Sequence, residues 1–291
     1  EQLFSEIGLE PLETTVAQDA SGRVTATVCV PRLSFTADEL KVITDEVSTL
    51  CRRTFAPAQC IHSGTVTKLL FRERPRFAVD CAVCALPAGG DISADAIHAF
   101  PDETGHFHAV LCDGMGSGPA AREDSDTALR LLEKFLRAGL EPEEALNTVG
   151  EALALRGEEQ GGFTTVDLLR IDLFSGKGAV YKLGAAPTYL RRGGAVERLA
   201  GESLPAGVPA GSGSGPDAFE LALDAGDCVL LVSDGVTTGR DDRWVRQLLS
   251  EFDGLSPQEL AGRILKESSG RTGSGDDRTV IAIKLDVRER T

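Results

Sequence analysis

Apolar positions recur along this chain with two periods, and the switch between them outlines its elements. Residues 23–30 (RVTATVCV) and 64–72 (GTVTKLLFR) alternate apolar and polar positions, which predicts strands. Between them, Leu40, Ile43, Val47 and Leu50 return at helical spacing within 37–55, with Thr36 as the expected N-cap. Residues 1–74 therefore read as a small strand–helix–strand segment, short for an independent domain.

After Pro75 the pattern changes, and residues 75–291 read as a second, larger domain. FAVDCAVCAL (77–86) predicts a strand, and DAIHAF (95–100) and HFHAVLCD (106–113) flank the turn-forming PDETG, which predicts a hairpin. Two helices are expected next. Residues 119–138 place Ala128, Leu131, Leu132 and Phe135 on one face, and residues 142–156 start with Pro at N1 and two glutamates. Strands then recur at short spacing through TTVDLLRIDLF, GAVYKLG, PTYLRRG, AVERLA, AFELALD and DCVLLVSDG, with GSGSGP (211–216) as a loop. Helices over 243–252 and 257–269 precede a last strand, RTVIAIKLDV (278–287). Antiparallel strands with helices inserted in pairs predict an α+β layered sandwich, not a parallel β-α-β sheet.

Several of these strands stop or start on a charge. HAVLCDGMGSG (108–118) runs into Asp113 and then places glycine at every second position; LLVSDG ends on Asp234-Gly235; GSGDDRTVIAI begins at Asp276-Asp277. If the hairpin turns about Thr104, residues whose numbers sum to 208 face each other, which sets Asp95 opposite Asp113 at about 5 Å between Cα atoms. Like charges across a ladder cost stability, and a divalent cation would compensate. Asp91 lies about 13 Å along the strand from that register and stays in reserve, as does Asp277 beside Asp276. One Asp-Gly is more often a turn than a ligand. Four acids at strand ends, each beside a glycine or another acid, form the hard oxygen set that selects Mg²⁺ or Mn²⁺ over zinc. Two such ions are the usual apparatus of phosphoester hydrolysis.

Composition narrows the partners. The formal charge is −15, of which −2 lies in residues 1–75 and −13 in the remainder, so nucleic acid and anionic membranes are disfavoured. The seven cysteines sit mostly in apolar runs and read as reduced core thiols, the Cys81–Cys84 pair included. His106 and His108 could share a strand face and are expected at the surface. There is no G-x-x-x-x-G-K-[ST] phosphate loop, no G-x-S-x-G elbow and no cysteine in a basic setting. The chain begins at Glu1 and its single methionine is Met115, so a further segment is expected upstream.

DGMGSG (113–118), SDG (233–235) and GDDRTV (275–280) resemble the metal-binding signatures of the PP2C-type serine/threonine phosphatases. LGAAPTYLRRGG (183–194) and SLPAGV (203–208) make residues 75–287 similar to the phosphatase region of the stage II sporulation protein E family, and residues 20–72 resemble its preceding regulatory segment. The resemblance implies an α-β-β-α sandwich of two mostly antiparallel sheets flanked by helix pairs. It implies two Mn²⁺ or Mg²⁺ ions bridged by Asp113, with the Gly114 carbonyl, Asp234 and Asp276 on them and Asp95 holding a metal or its water. It further implies hydrolysis of phosphoserine on an anti-anti-sigma factor, without a covalent enzyme intermediate, in sporulation. The same resemblance places this part in the cytoplasm, on a membrane-anchored protein, with residues 119–156 as a switch and homodimer element. The chain departs from the pattern in having Ala94 before the first aspartate and Met115 where other PP2C enzymes often carry histidine. Arg122 and Arg278 are merely near the motifs, so no phosphate-holding arginine is identified. The competing readings are a stress-response PP2C phosphatase of a partner-switching pathway and a non-catalytic PP2C-like binding module.

Overall fold

The computed structural model describes all residues except 1, 20–21, 89–91, 117, 161, 209–214, 238–241, 255, 272–274 and 289–291, together with the side chains of 157–160. The reserve residue Asp91 and most of the 211–216 loop lie outside the described residues. The chain forms two compact units, Glu1–Arg76 and Phe77–Thr291.

The first unit is larger in strand content than its alternation suggests. It holds α1 (Gln2–Glu6), β1 (Glu13–Gln18), β2 (Val24–Pro31), α2 (Ala37–Cys51), β3 (Gln59–Ser63) and β4 (Val66–Arg72), with the strands in an antiparallel sheet ordered β1-β2-β4-β3. The edge strands escape the pattern because both are mostly exposed and carry little alternation. Helix α2 starts at the expected cap: the Thr36 hydroxyl accepts from the Glu39 amide, and the Glu39 carboxylate accepts from the Thr36 amide. It stops at Cys51, short of the apolar pattern, because Arg52 turns left-handed at φ 52°. Phe4, Phe55 and Phe71 meet edge-to-face in its core.

The second unit opens with β5 (Phe77–Leu86), then β6 (Asp95–Pro101) and β7 (His106–Gly114), followed by α3 (Pro119–Arg137) and α4 (Pro142–Gln160). Strands β8 (Thr164–Asp172), β9 (Lys177–Leu183), β10 (Thr188–Arg192), β11 (Ala195–Leu199), β12 (Asp217–Ala222) and β13 (Cys228–Val232) come next. Helices α5 (Arg243–Ser250) and α6 (Pro257–Arg271) precede β14 (Arg278–Val287). Two antiparallel five-stranded sheets result, ordered β12-β9-β8-β7-β6 and β11-β10-β13-β14-β5.

Three cores show how the layers stack. Leu111, Leu169 and Ile171 of one sheet and Leu231, Ile281 and Ile283 of the other share the central core. Ala128, Leu132, Leu146 and Val149 pack on the outer face of the first sheet, and Val245, Leu249, Leu260 and Ile264 on that of the second. The fold is the α-β-β-α sandwich. Cys81 packs in the central core and Cys84 in the outer one, because residues three apart on a strand face opposite ways; the two thiols cannot share a ligand. All seven cysteines are free. Among the described residues no helix is long and apolar enough to cross a membrane.

Candidate metal centre

The hairpin register is the one the turn predicts: Asp95 faces Asp113 directly, and the ladder closes at Pro101 opposite Phe107. Asp113 is flanked by Cys112, which packs under α3 and α4, so by alternation Asp113 and Asp95 point inward, between the sheets. Asp234 stands two residues beyond β13, and Asp276 two before β14, at the same end of the opposing sheet. The four acids expected from the sequence thus meet from two layers.

Their electrostatics follow from that placement. Burial first, and then the charges of Asp95, Asp234 and Asp276, push the Asp113 carboxyl well above the usual carboxylate range. Burial also raises Asp95, against a partial offset from the hydroxyls of Thr279 and Ser233, and raises Asp276, with Asp234 adding to it. The charge of Asp234 bears on both Asp113 and Asp276, and a cation among the three would relieve it. Asp95 is 2% exposed, and among the described residues neither of its carboxylate oxygens has a hydrogen-bond partner of acceptable geometry. That leaves two buried acceptors unsatisfied, an arrangement a cation or its water would satisfy. As the side chains stand, no three acidic, imidazole or thiol groups among the described residues close into a ready-made chelate. The donor set nevertheless fits a hard divalent ion: it is all oxygen, and its own repulsion is uncompensated.

Asp277 has a different task from its neighbour. Its Oδ1 accepts the Ala88 amide at 2.7 Å and its Oδ2 the Ala94 amide at 2.5 Å, so both oxygens are spent tying down the segment that leads into Asp95. Among the described residues Asp276 makes no such ties, and it accepts the Asp277 amide at 2.9 Å. Nothing in the sequence distinguishes the two acids; the loop they face does.

The glycines also have assignable causes. A Cβ on Gly114 would lie 2.2 Å from the Ala121 carbonyl oxygen, so the start of α3 packs on bare backbone there. One on Gly235 would lie 2.1 Å from the Asp277 carbonyl oxygen. Gly116 and Gly118 take φ of +102° and +85°, which side chains rarely adopt. Helix α3 holds the acid strand as well: Arg122 donates to the carbonyls of Ser93 (3.1 Å) and Asp95 (2.8 Å), and Ser125 to that of Ala94 (2.5 Å). Arg122 is thus engaged with backbone and with Asp126.

The histidines differ from expectation. His108 is buried, and it and His106 both contact Asp102 at the hairpin tip, His108 Nε2 at 3.0 Å from Asp102 Oδ2. They are neither surface residues nor close to the acid cluster, because the hairpin carries them to its far end.

A two-layered antiparallel sandwich between helix pairs, with acids converging from both sheets at one end, defines a PP2C-type phosphatase domain. Solved structures agree on the fold. That of the phosphatase domain with a fragment of the regulatory domain of the cell-fate determinant SpoIIE from Bacillus subtilis superposes with a TM-score of 0.75 at 24% identity, over 99% of this chain and 86% of that one. RsbX in complex with magnesium superposes with a TM-score of 0.58 at 18% identity, over 79% of this chain and 100% of that one.

Within that class the chain belongs to the stage II sporulation protein E family, whose family model matches residues 103–286. Stage II sporulation protein E of Bacillus subtilis (strain 168) is 30% identical over 213 residues, which is 70% of this chain and 25% of that protein. The chain therefore spans about a quarter of the length of this curated relative. Phe77–Thr291 is a PP2C-type protein serine/threonine phosphatase domain.

Proposed function

We propose that this domain is a divalent-metal-dependent phosphatase that removes phosphate from serine on an anti-anti-sigma factor and so controls sigma-factor activation in sporulation. The observation that carries the metal dependence is the Asp95–Asp113 pair: two acids opposed across a buried ladder, one with both oxygens unpartnered, joined by Asp234 and Asp276. In this reading Asp113, the Gly114 carbonyl, Asp234 and Asp276 would hold two Mn²⁺ or Mg²⁺ ions, and Asp95 would hold an ion or its water. The relative in complex with magnesium supports the choice of a hard ion. Bound there, the ions supply an activated water and neutralise the phosphate oxygens. The protein's own part is to hold the carboxylates fixed: Asp277 anchors the entry to Asp95, and α3 clamps the same segment through Arg122 and Ser125.

We carry the substrate class over from the family resemblance, and with it propose a cytoplasmic setting and a homodimer through residues 119–156. An acidic surface fits a protein partner and not nucleic acid. The fold it shares with RsbX favours a partner-switching stress-response phosphatase as the second reading. Retention of the acids at all four positions favours an enzyme over a binding module.

The test is phosphate release from a phosphorylated anti-anti-sigma protein and from an unrelated phosphoserine peptide. Mn²⁺-dependent release from the first, abolished by EDTA, is expected. Equal rates on both would remove the substrate assignment, and release insensitive to EDTA would remove the metal.

A further inference from the structure

Beside the acid cluster lies a second buried polar group with no part in the roles given so far. Asp167 of β8 faces Leu111 in the β7–β8 register, two places from Asp113, and so shares its inward face. Its cross-strand partner on β9 is Lys182. Both are buried, at 1% and 0% exposure. Lys182 Nζ donates to Asp167 Oδ2 at 2.8 Å, to Thr188 Oγ1 at 2.8 Å and to the Ala186 carbonyl at 2.6 Å, which uses all three of its protons. Thr188 Oγ1 donates in turn to Asp167 Oδ2 at 2.5 Å. Everything that grips Asp167 grips one oxygen.

The other oxygen, Oδ1, is buried and has no hydrogen-bond partner among the described residues. Asp167 borders a small cavity of about 20 Å³ that is also lined by Asp113, Thr165, Ser233 and Asp234. A space of that size takes one water molecule. A group that served only to tie β8 and β9 to Thr188 of the opposing sheet would leave no reason for an ungripped oxygen at this cavity. Lys182 meanwhile cancels the charge of Asp167, so a fifth acid stands beside the cluster without adding to its repulsion.

We propose that Asp167 is a positioning residue of the metal centre. Through Oδ1 it holds a single water in this cavity, whose second proton goes to Asp113 or Asp234, and it thereby fixes the orientation of those carboxylates for the cation. Lys182 and Thr188 set the rotamer of Asp167 by their hold on Oδ2. The proposal rests on the metal-centre reading above, and its tests separate the two.

A high-resolution crystal structure of the metal-free chain should show one ordered water within hydrogen-bond distance of Asp167 Oδ1 and of Asp113 or Asp234. A dry cavity overturns the proposal, with or without metal binding. In solution the readout is Mn²⁺ affinity by titration calorimetry. Asp167→Val alone would strand the buried ammonium, so the informative protein carries Asp167→Val together with Lys182→Met, which removes both charges and the Oδ1 acceptor with little change in volume. Its melting temperature in EDTA should stay near that of the parent chain while Mn²⁺ affinity falls about tenfold or more. Unchanged affinity in the double variant, beside a parent chain that binds Mn²⁺, overturns the positioning role alone. A parent chain that binds no Mn²⁺ overturns the metal centre and this role with it.

Discussion

The β6–β7 hairpin carries a single aspartate at its tip and an opposed aspartate pair at its base, and the two are built on opposite terms. At the tip, Asp102 Oδ1 accepts the Thr104 amide at 2.8 Å, the Thr104 hydroxyl at 2.7 Å and the His106 amide at 2.9 Å, while His108 reaches its Oδ2. Burial opposes ionisation there, but the bonds from His106, His108 and Thr104 outweigh it and hold the Asp102 carboxyl well below the usual range. At the base, Asp95 and Asp113 face each other: burial raises both, the charges of Asp95, Asp234 and Asp276 raise Asp113 further, and the hydroxyls of Thr279 and Ser233 offset the rise at Asp95 only in part. One strand pair therefore contains an acid the fold has satisfied and acids it has left unsatisfied. Satisfied acids stabilise; an unsatisfied buried acid is tolerated where a ligand completes it.

That contrast can be broken in order of expected effect. Asp113→Ala should lower Mn²⁺-dependent phosphate release by several orders of magnitude while circular dichroism shows the fold unchanged; a loss under tenfold would remove its bridging role. Next comes the pair at the start of β14. Asp277→Ala strands two backbone amides and should cost about 2–4 kcal/mol in urea denaturation, whereas Asp276→Asn should leave stability within about 1 kcal/mol and abolish activity. Equal loss of activity in Asp276→Asn and Asp277→Asn would show that the two roles have been wrongly divided.

At the tip the effect is on stability and depends on pH. The folded pKa of Asp102 is depressed, so its contribution is present in full above the unfolded value of about 3.9 and is lost as pH falls through the lower folded value. Asp102→Asn should therefore destabilise the chain by about 1–3 kcal/mol at pH 7, and the gap to the parent protein should close below about pH 4. A gap independent of pH would mean that the charge of Asp102 does not matter. The smallest effect is expected from Thr104→Val, which removes one exposed hydroxyl bond to the same carboxylate and should cost about 0.5–1 kcal/mol with phosphate release unchanged.

Much of this was legible in local pattern. Strands β5 and β14 and the N-cap of α2 appear where alternation and Thr36 put them, and the Asp95–Asp113 register follows from a turn centred on Thr104. Strands β1 and β3 were not, because exposed edge strands need no apolar face. Gly114 was singled out for a metal, but its steric reason, the Ala121 carbonyl of α3, belongs to a contact between elements. Asp167 and Lys182 were passed over as ordinary members of two strands. The only signal available was a pair of charges in otherwise apolar runs, TTVDLLRI and AVYKLG, and nothing in either run names the other as its partner.

The order of hydrophobic and polar residues by itself determined the layers, the strand ends on which acids stand, and the hairpin register, since each depends on neighbours within a few residues. Which acid binds and which braces was decided only when the sheets packed. Asp276 and Asp277 are adjacent and chemically identical, yet Asp277 meets the amides of Ala88 and Ala94 and its neighbour meets Asp234. A carboxylate's role depends on which donors and charges surround it, and those come from segments far apart in the chain.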